Sequence, residues 1–130
     1  PLEQSKVQKV IEKYFAITEQ KNEFFEYKKK TEFFKIQMSE IIYFESRGRK
    51  ILVKTMNGED EFYGSMEDIY SKVKSNQFLY IHKSVIVNYR RIKQLSYEMV
   101  IMIDDAVFSI SQSRRPAIRQ MCLKIRKGER

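Results

Sequence analysis

Histidine and cysteine are almost missing from this 130-residue chain, which has one of each, His82 and Cys122. A metal site needs several His, Cys, Asp or Glu side chains that converge, and these two stand 40 positions apart with no paired spacing. A lone cysteine excludes an internal disulfide and fits a reducing compartment. Glycine is scarce: Gly48, Gly58, Gly64 and Gly128 are each isolated, so no glycine-rich loop for phosphate is present. Two prolines and four glycines against nine Phe and eight Tyr is not the composition of a disordered chain. No apolar run approaches the ~20 residues of a membrane span. The opening PLEQSKVQKV is polar, unlike the basic start and apolar stretch of a signal peptide. The expected location is therefore the cytoplasm, with no membrane partner. The first residue is Pro1 rather than Met, which is the expectation for a piece of a longer protein.

Acidic residues are missing from particular windows, and this says more than the net charge of +8. Residues 47–54 carry Arg47, Arg49, Lys50 and Lys54 without an acid, and residues 83–93 carry Lys83, Arg90, Arg91 and Lys93 without an acid. Residues 114–130 carry seven bases against Glu129. These 36 positions hold a net +14, which leaves −6 for the other 94. If the three segments meet on one surface, they form a field suited to a polyanion; if not, they are three solvated faces.

Catalytic patterns are thin. A nucleophile needs an adjacent base, and His82 with Ser84 is only a pair of alternating strand positions. The carboxylate pairs Asp104–Asp105 and Glu59–Glu61 lie at turns, where acids are routine. His82 follows Phe78, Leu79, Tyr80 and Ile81, a setting in which histidine is usually a satisfied structural residue. The expectation is a binding module, not an enzyme, with no cofactor and no metal. Cys122 reads as a small buried hydrophobe.

Periodicity gives the elements. Residues 2–20 predict a helix with Val7, Val10, Ile11 and Tyr14 on one stripe. From about residue 22 the period shortens to two. FFEYKKKTEFFKI (24–36) predicts two strands around a lysine turn, and IIYFES (41–46) and KILVKT (50–55) flank the turn RGR. MNGE carries an Asn-Gly hairpin signal before DEFYG. Ser65 with Asp68 three positions on predicts the start of a helix, MEDIYSKV. FLYIH, SVIVN, IKQLSY, MVIMI and VFSI read as further strands, and Pro116 opens a last helix. The pattern is a mainly β, antiparallel domain.

The order of segments resembles the LytTR family, the DNA-binding output domains of bacterial response regulators of the LytR/AgrA type. The residues that carry the likeness are SEIIYFES (39–46), ILVKTMNGEDEFYGSMEDI (51–69), FLYIHKSVIVNYRRIKQL (78–95) and FSISQSRRPAIRQ (108–120). The central IHKSVIVNYRRI is the most specific of them. The likeness covers about residues 24–122. It implies an elongated stack of antiparallel sheets with about ten short strands, a short inserted helix, an N-terminal helix and a C-terminal helix. It also implies that residues 1–21 are the end of a receiver domain's last helix with its linker, and 22–130 the DNA-binding domain.

By motif, the resemblance implies DNA contacts at Arg47, Arg49 and Lys50 and at Lys83. Further contacts are implied in the late element, where Ser113, Arg114 and Arg115 remain alternatives for the principal one. Arg90, Arg91 and Lys93 are phosphate contacts or merely solvated, while His82 and Asn88 are structural. The implied partners are double-stranded promoter DNA bound as direct repeats by a dimer, the chain's own receiver domain, and a sensor histidine kinase upstream. The implied role is transcription regulation in a two-component phosphorelay. Two other readings remain: a basic RNA- or ribosome-associated β-domain protein, and a protein-interaction domain that uses strand edges.

Overall fold

The computed structural model describes residues 24–127. The helix expected over 2–20, with its stripe, lies outside the described residues. Ten strands run in order as β1 (Phe24–Lys29), β2 (Glu32–Gln37), β3 (Ile41–Arg47), β4 (Lys50–Thr55), β5 (Gly58–Tyr63), β6 (Phe78–His82), β7 (Val85–Asn88), β8 (Ile92–Leu95), β9 (Met99–Met102) and β10 (Val107–Ser109). Helix α1 (Met66–Val73) interrupts them and α2 (Arg115–Arg126) follows them. All pairings are antiparallel, in three sheets: β1-β2, then β5-β4-β3-β7-β6, then β10-β9-β8. The expected class and the strand positions are as observed.

The five-stranded sheet is the middle layer. On one face, Phe44, Ile51, Val53, Phe62, Phe78 and Ile86 pack with Phe25 of the β1-β2 hairpin and with Met66, Ile69 and Val73 of α1. On the other, Leu52, Leu79, Ile81, Val85 and Val87 pack with Val100 and Met102 of β9 and with Ile118 and Cys122 of α2. A sheet covered on both faces needs apolar side chains at successive positions, which is why ILV in β4 and VIV in β7 do not alternate with polar residues. Cys122 is buried as expected, and burial pushes its thiol up against the opposing pull of Arg126.

Two bulges re-aim side chains. The β3-β4 register shifts between Ile41 and Tyr43, so Ile42 and Tyr43 both reach the second core. The β6-β7 register shifts between Tyr80 and His82, beside the turn at residues 83–84. The Asn-Gly signal marks the β4-β5 hairpin, but its loop residues are Met56 and Asn57, with Gly58 already the first residue of β5. The hydroxyl of Thr55 accepts from the Asn57 amide at 3.1 Å and donates to the Gly58 carbonyl at 3.0 Å. Ser65 caps α1 by accepting from the Asp68 amide at 3.2 Å.

Candidate nucleic-acid interface

Two tight turns lie side by side at one end of the middle sheet. In the first, Arg47 pairs with Lys50, so Gly48 and Arg49 form the loop. Gly48 has φ 65° and Arg49 does not share the positive angle, the pattern of a type II′ turn that suits the strand twist. Arg47, Arg49 and Lys50 are all exposed there. In the second, His82 pairs with Val85, and Lys83 and Ser84 form the loop. Strands β3 and β7 are neighbours, with Glu45 opposite Val85, and the Ser46 amide donates to the Ser84 carbonyl at 2.8 Å. That bond ties one turn to the other.

The late basic element joins them on the far side of β6. The Ser111 amide donates to the Ile81 carbonyl at 2.9 Å, so the chain before α2 runs along the open edge of β6. A 3-10 turn, Gln112–Arg114, follows. The Arg114 guanidinium lies over the Tyr80 ring, 4.3 Å from its centre, and its Nη1 donates to the Tyr80 carbonyl at 3.4 Å. The Tyr80 hydroxyl donates to the Lys83 carbonyl at 3.2 Å. Arg115 turns elsewhere: its Nε donates to the Ile110 carbonyl at 3.0 Å. Ser113 is exposed. The order across this end is therefore β4, β3, β7, β6 and the 111–114 segment. At ~4.8 Å per strand this is a row about 20 Å long.

The row is cationic. Five bases, Arg47, Arg49, Lys50, Lys83 and Arg114, stand with one ion-paired acid, Glu45, whose Oε1 is 3.3 Å from Arg47 Nη2, and with Glu67 of α1, whose charge reaches Tyr80. Among the described residues, Arg49, Lys50 and Lys83 form no ion pair. Lys50 instead reaches over the exposed ring of Tyr63, 5.5 Å from its centre. Unpaired cations on tight turns are held near one another at a cost in mutual repulsion, which a polyanion relieves.

His82 and Asn88 bond to backbone groups around them. His82 Nδ1 accepts from the Ser84 amide at 3.1 Å, across the turn that carries Lys83. Asn88 is 1% exposed; its amide donates to the Ile41 carbonyl at 2.9 Å and the Met38 carbonyl at 3.4 Å, and its oxygen accepts from the Arg90 amide at 3.1 Å. The other three candidate cations stand apart from the row. Arg90 Nε donates to Gln77 at 3.2 Å, and Arg91 donates twice to the Ser39 carbonyl at 2.9 and 2.6 Å. Lys93 pairs with Asp105 at 2.7 Å. Arg91 and its partner Ser39 lie at the Ile41 end of β3, so the ~20 Å length of that strand separates them from Arg47. Tyr80 is the residue of this end that the sequence reading missed. Its signal, an aromatic two positions before the histidine, is the same as that of any core residue in FLYIH.

The sequence model of the LytTR family, described as the LytTr DNA-binding domain, matches residues 31–122. The chain belongs to this family. The matched span includes both tight turns of the row and the late basic element. The LytTR chain is also similar in structure to a LytTr DNA-binding domain from Bacillus cereus, assigned to a methyl-accepting/DNA response regulator. The TM-score is 0.67 at 19% sequence identity, with 78% of this chain and 97% of that chain covered. That likeness shows a common fold. No curated protein matches the chain. Among the described residues of the LytTR chain, no helix is long and apolar enough to cross a membrane, and no cluster of His, Cys, Asp and Glu could hold a metal ion.

Proposed function

We propose that this LytTR domain binds double-stranded promoter DNA with sequence preference and regulates transcription as the output domain of a response regulator. The observation that carries the reading is the row of acid-poor basic turns along one end of the middle sheet, in a chain of a DNA-binding family. Lys83 and Arg114 are the base readers. An arginine fork matches guanine O6 and N7 in the major groove, and lysine can donate to the same atoms. Arg114 is preferred over Arg115 because Arg115 is engaged with the Ile110 carbonyl and Arg114 lies against the Lys83 turn. Ser113 is a neighbouring polar contact. Arg47, Arg49 and Lys50 serve a second groove contact, since a ~20 Å row is wider than one ~12 Å major groove. Arg90, Arg91 and Lys93 at most touch phosphates outside the row.

In the same reading the domain binds direct repeats as a dimer on DNA. Residues 1–21 end a receiver domain that a sensor histidine kinase controls, and the protein works in the cytoplasm. Binding, not catalysis, is its activity. The RNA reading would draw on the aromatic count, but Phe25, Phe44, Phe62 and Phe78 are in the core and cannot stack on bases. Competition of duplex DNA, single-stranded DNA and RNA for the protein, each over a range of salt, tests the reading. The expected result is that duplex competes best, with affinity falling ~10³-fold or more from low to moderate salt if several phosphates are contacted. Stronger competition by RNA or single strands would contradict it.

A further inference from the structure

We infer that Tyr80 is a positioning residue of the DNA-reading surface, whose ring and hydroxyl hold Arg114 and the Lys83 turn in one fixed relation. The inference rests on the reading above and adds the part that makes two separate basic elements one surface. Arg114 and Lys83 are 31 positions apart in sequence, one in the 3-10 turn before α2 and the other in the β6-β7 turn. Tyr80 is the side chain that bonds both. Its hydroxyl donates to the Lys83 carbonyl at 3.2 Å, and its ring carries the Arg114 guanidinium at 4.3 Å. Burial pushes the phenol above its ordinary value, so the hydroxyl stays protonated and able to donate. The ring is itself held, partly buried against the first core with the Tyr70 ring 5.3 Å away.

The energetic reason is preorganisation. A free arginine side chain carries considerable rotamer entropy, part of which is lost when it forms a bidentate contact. Stacking on Tyr80 removes part of that freedom before DNA arrives. It also leaves most of the five guanidinium N–H donors available, because only Nη1 is directed to a carbonyl. The Lys83 side chain has no such support, but its backbone does, through the Tyr80 hydroxyl.

The test uses Tyr80→Phe, which keeps the ring and loses the hydroxyl, and Tyr80→Leu, which loses both. Each is measured for thermal stability and for binding to every single-base variant of the duplex that the wild-type chain selects, beside Lys83→Ala and Arg114→Ala. Tyr80→Leu should lower discrimination at the position read by Arg114 by about tenfold, within the range for a lost base contact. Adding Arg114→Ala to it should change little at that position. Tyr80→Phe should keep wild-type stability to within a few degrees, keep discrimination at the Arg114 position and relax it at the Lys83 position. In the free protein, the Arg114 δ protons should resonate upfield beneath the ring and lose that shift in Tyr80→Leu. Unchanged discrimination in both Tyr80 variants, while Lys83→Ala and Arg114→Ala lose it, overturns the positioning role alone. So does a weakening equal for all duplexes that tracks lowered stability. If Lys83→Ala and Arg114→Ala also leave discrimination intact, the assignment of the reading residues fails and the inference falls with it.

Discussion

Arg114 and Arg115 are adjacent in the sequence, yet one lies over an aromatic ring at the Lys83 turn and the other is bonded to a carbonyl of its own segment. That difference sets the predictions at single residues. Loss of a base contact should cost ~1–3 kcal/mol and relax preference at one position of the site, while loss of a phosphate contact should weaken all sequences about equally. Lys83→Ala and Arg114→Ala belong to the first kind and Arg90→Ala at most to the second; binding of each to single-base variants of the site separates them. If Arg90→Ala alters the profile and the other two do not, the reading surface is elsewhere. His82 tells a different story. Its Nδ1 accepts the Ser84 amide inside the turn, so His82→Ala should lower stability by about 0.5–1.5 kcal/mol, the worth of one hydrogen bond, together with any loss of binding. Denaturant unfolding beside a binding titration checks this. Full stability with binding abolished would make His82 a contact. A scaffold role for such a histidine could be proposed from its apolar neighbours. The choice of Arg114 could not, because SQSRR gives no sign of which arginine meets Tyr80.

The β1-β2 hairpin is joined to the middle sheet by more than its apolar face. Tyr27 donates its hydroxyl to Asp60 of β5 at 2.6 Å, and Lys29 reaches the other carboxylate oxygen at 2.8 Å. Burial alone would raise the Asp60 carboxyl, but the bonds from Lys29, Tyr27 and the Glu61 amide outweigh it and hold the carboxyl below its ordinary value. A carboxylate held low in the folded state contributes stability that is present above its unfolded value and is lost as pH falls through the folded one. The stability difference between the wild-type chain and Asp60→Asn should therefore be largest near neutral pH and shrink below the ordinary carboxylate range. A constant difference down to strongly acid pH would contradict the role given to Asp60. Strands and hairpin turns were legible because alternation and turn residues are local signals. The bulges at Ile42 and near Ile81 were not, since an extra residue inside an unbroken apolar run changes no local pattern. The Tyr27–Asp60 bond spans two sheets, and no period records it.

At the scale of the molecule, three sheets and two cores carry one row of basic turns. Composition showed that the bases were segregated into acid-poor windows, but not that one of the windows loses three members to other places. Arg90, Arg91 and Lys93 share a window with Lys83 yet sit by Gln77, Ser39 and Asp105. The reason is topological: β7 carries the chain from the end with the basic turns to the opposite end within four residues, Val85–Asn88. Which strands neighbour each other, and β3 beside β7 above all, is a long-range choice that sequence periodicity does not encode. The family likeness supplied the stack as an expectation. The central claim is that this row reads duplex DNA, and selection of bound sequences from a random duplex pool tests it most directly. The account predicts that the wild-type chain enriches a defined motif, and that Lys83→Ala and Arg114→Ala each lose enrichment at a different position of it. A pool that shows no enrichment with wild-type protein, or the same motif with all three proteins, would contradict it.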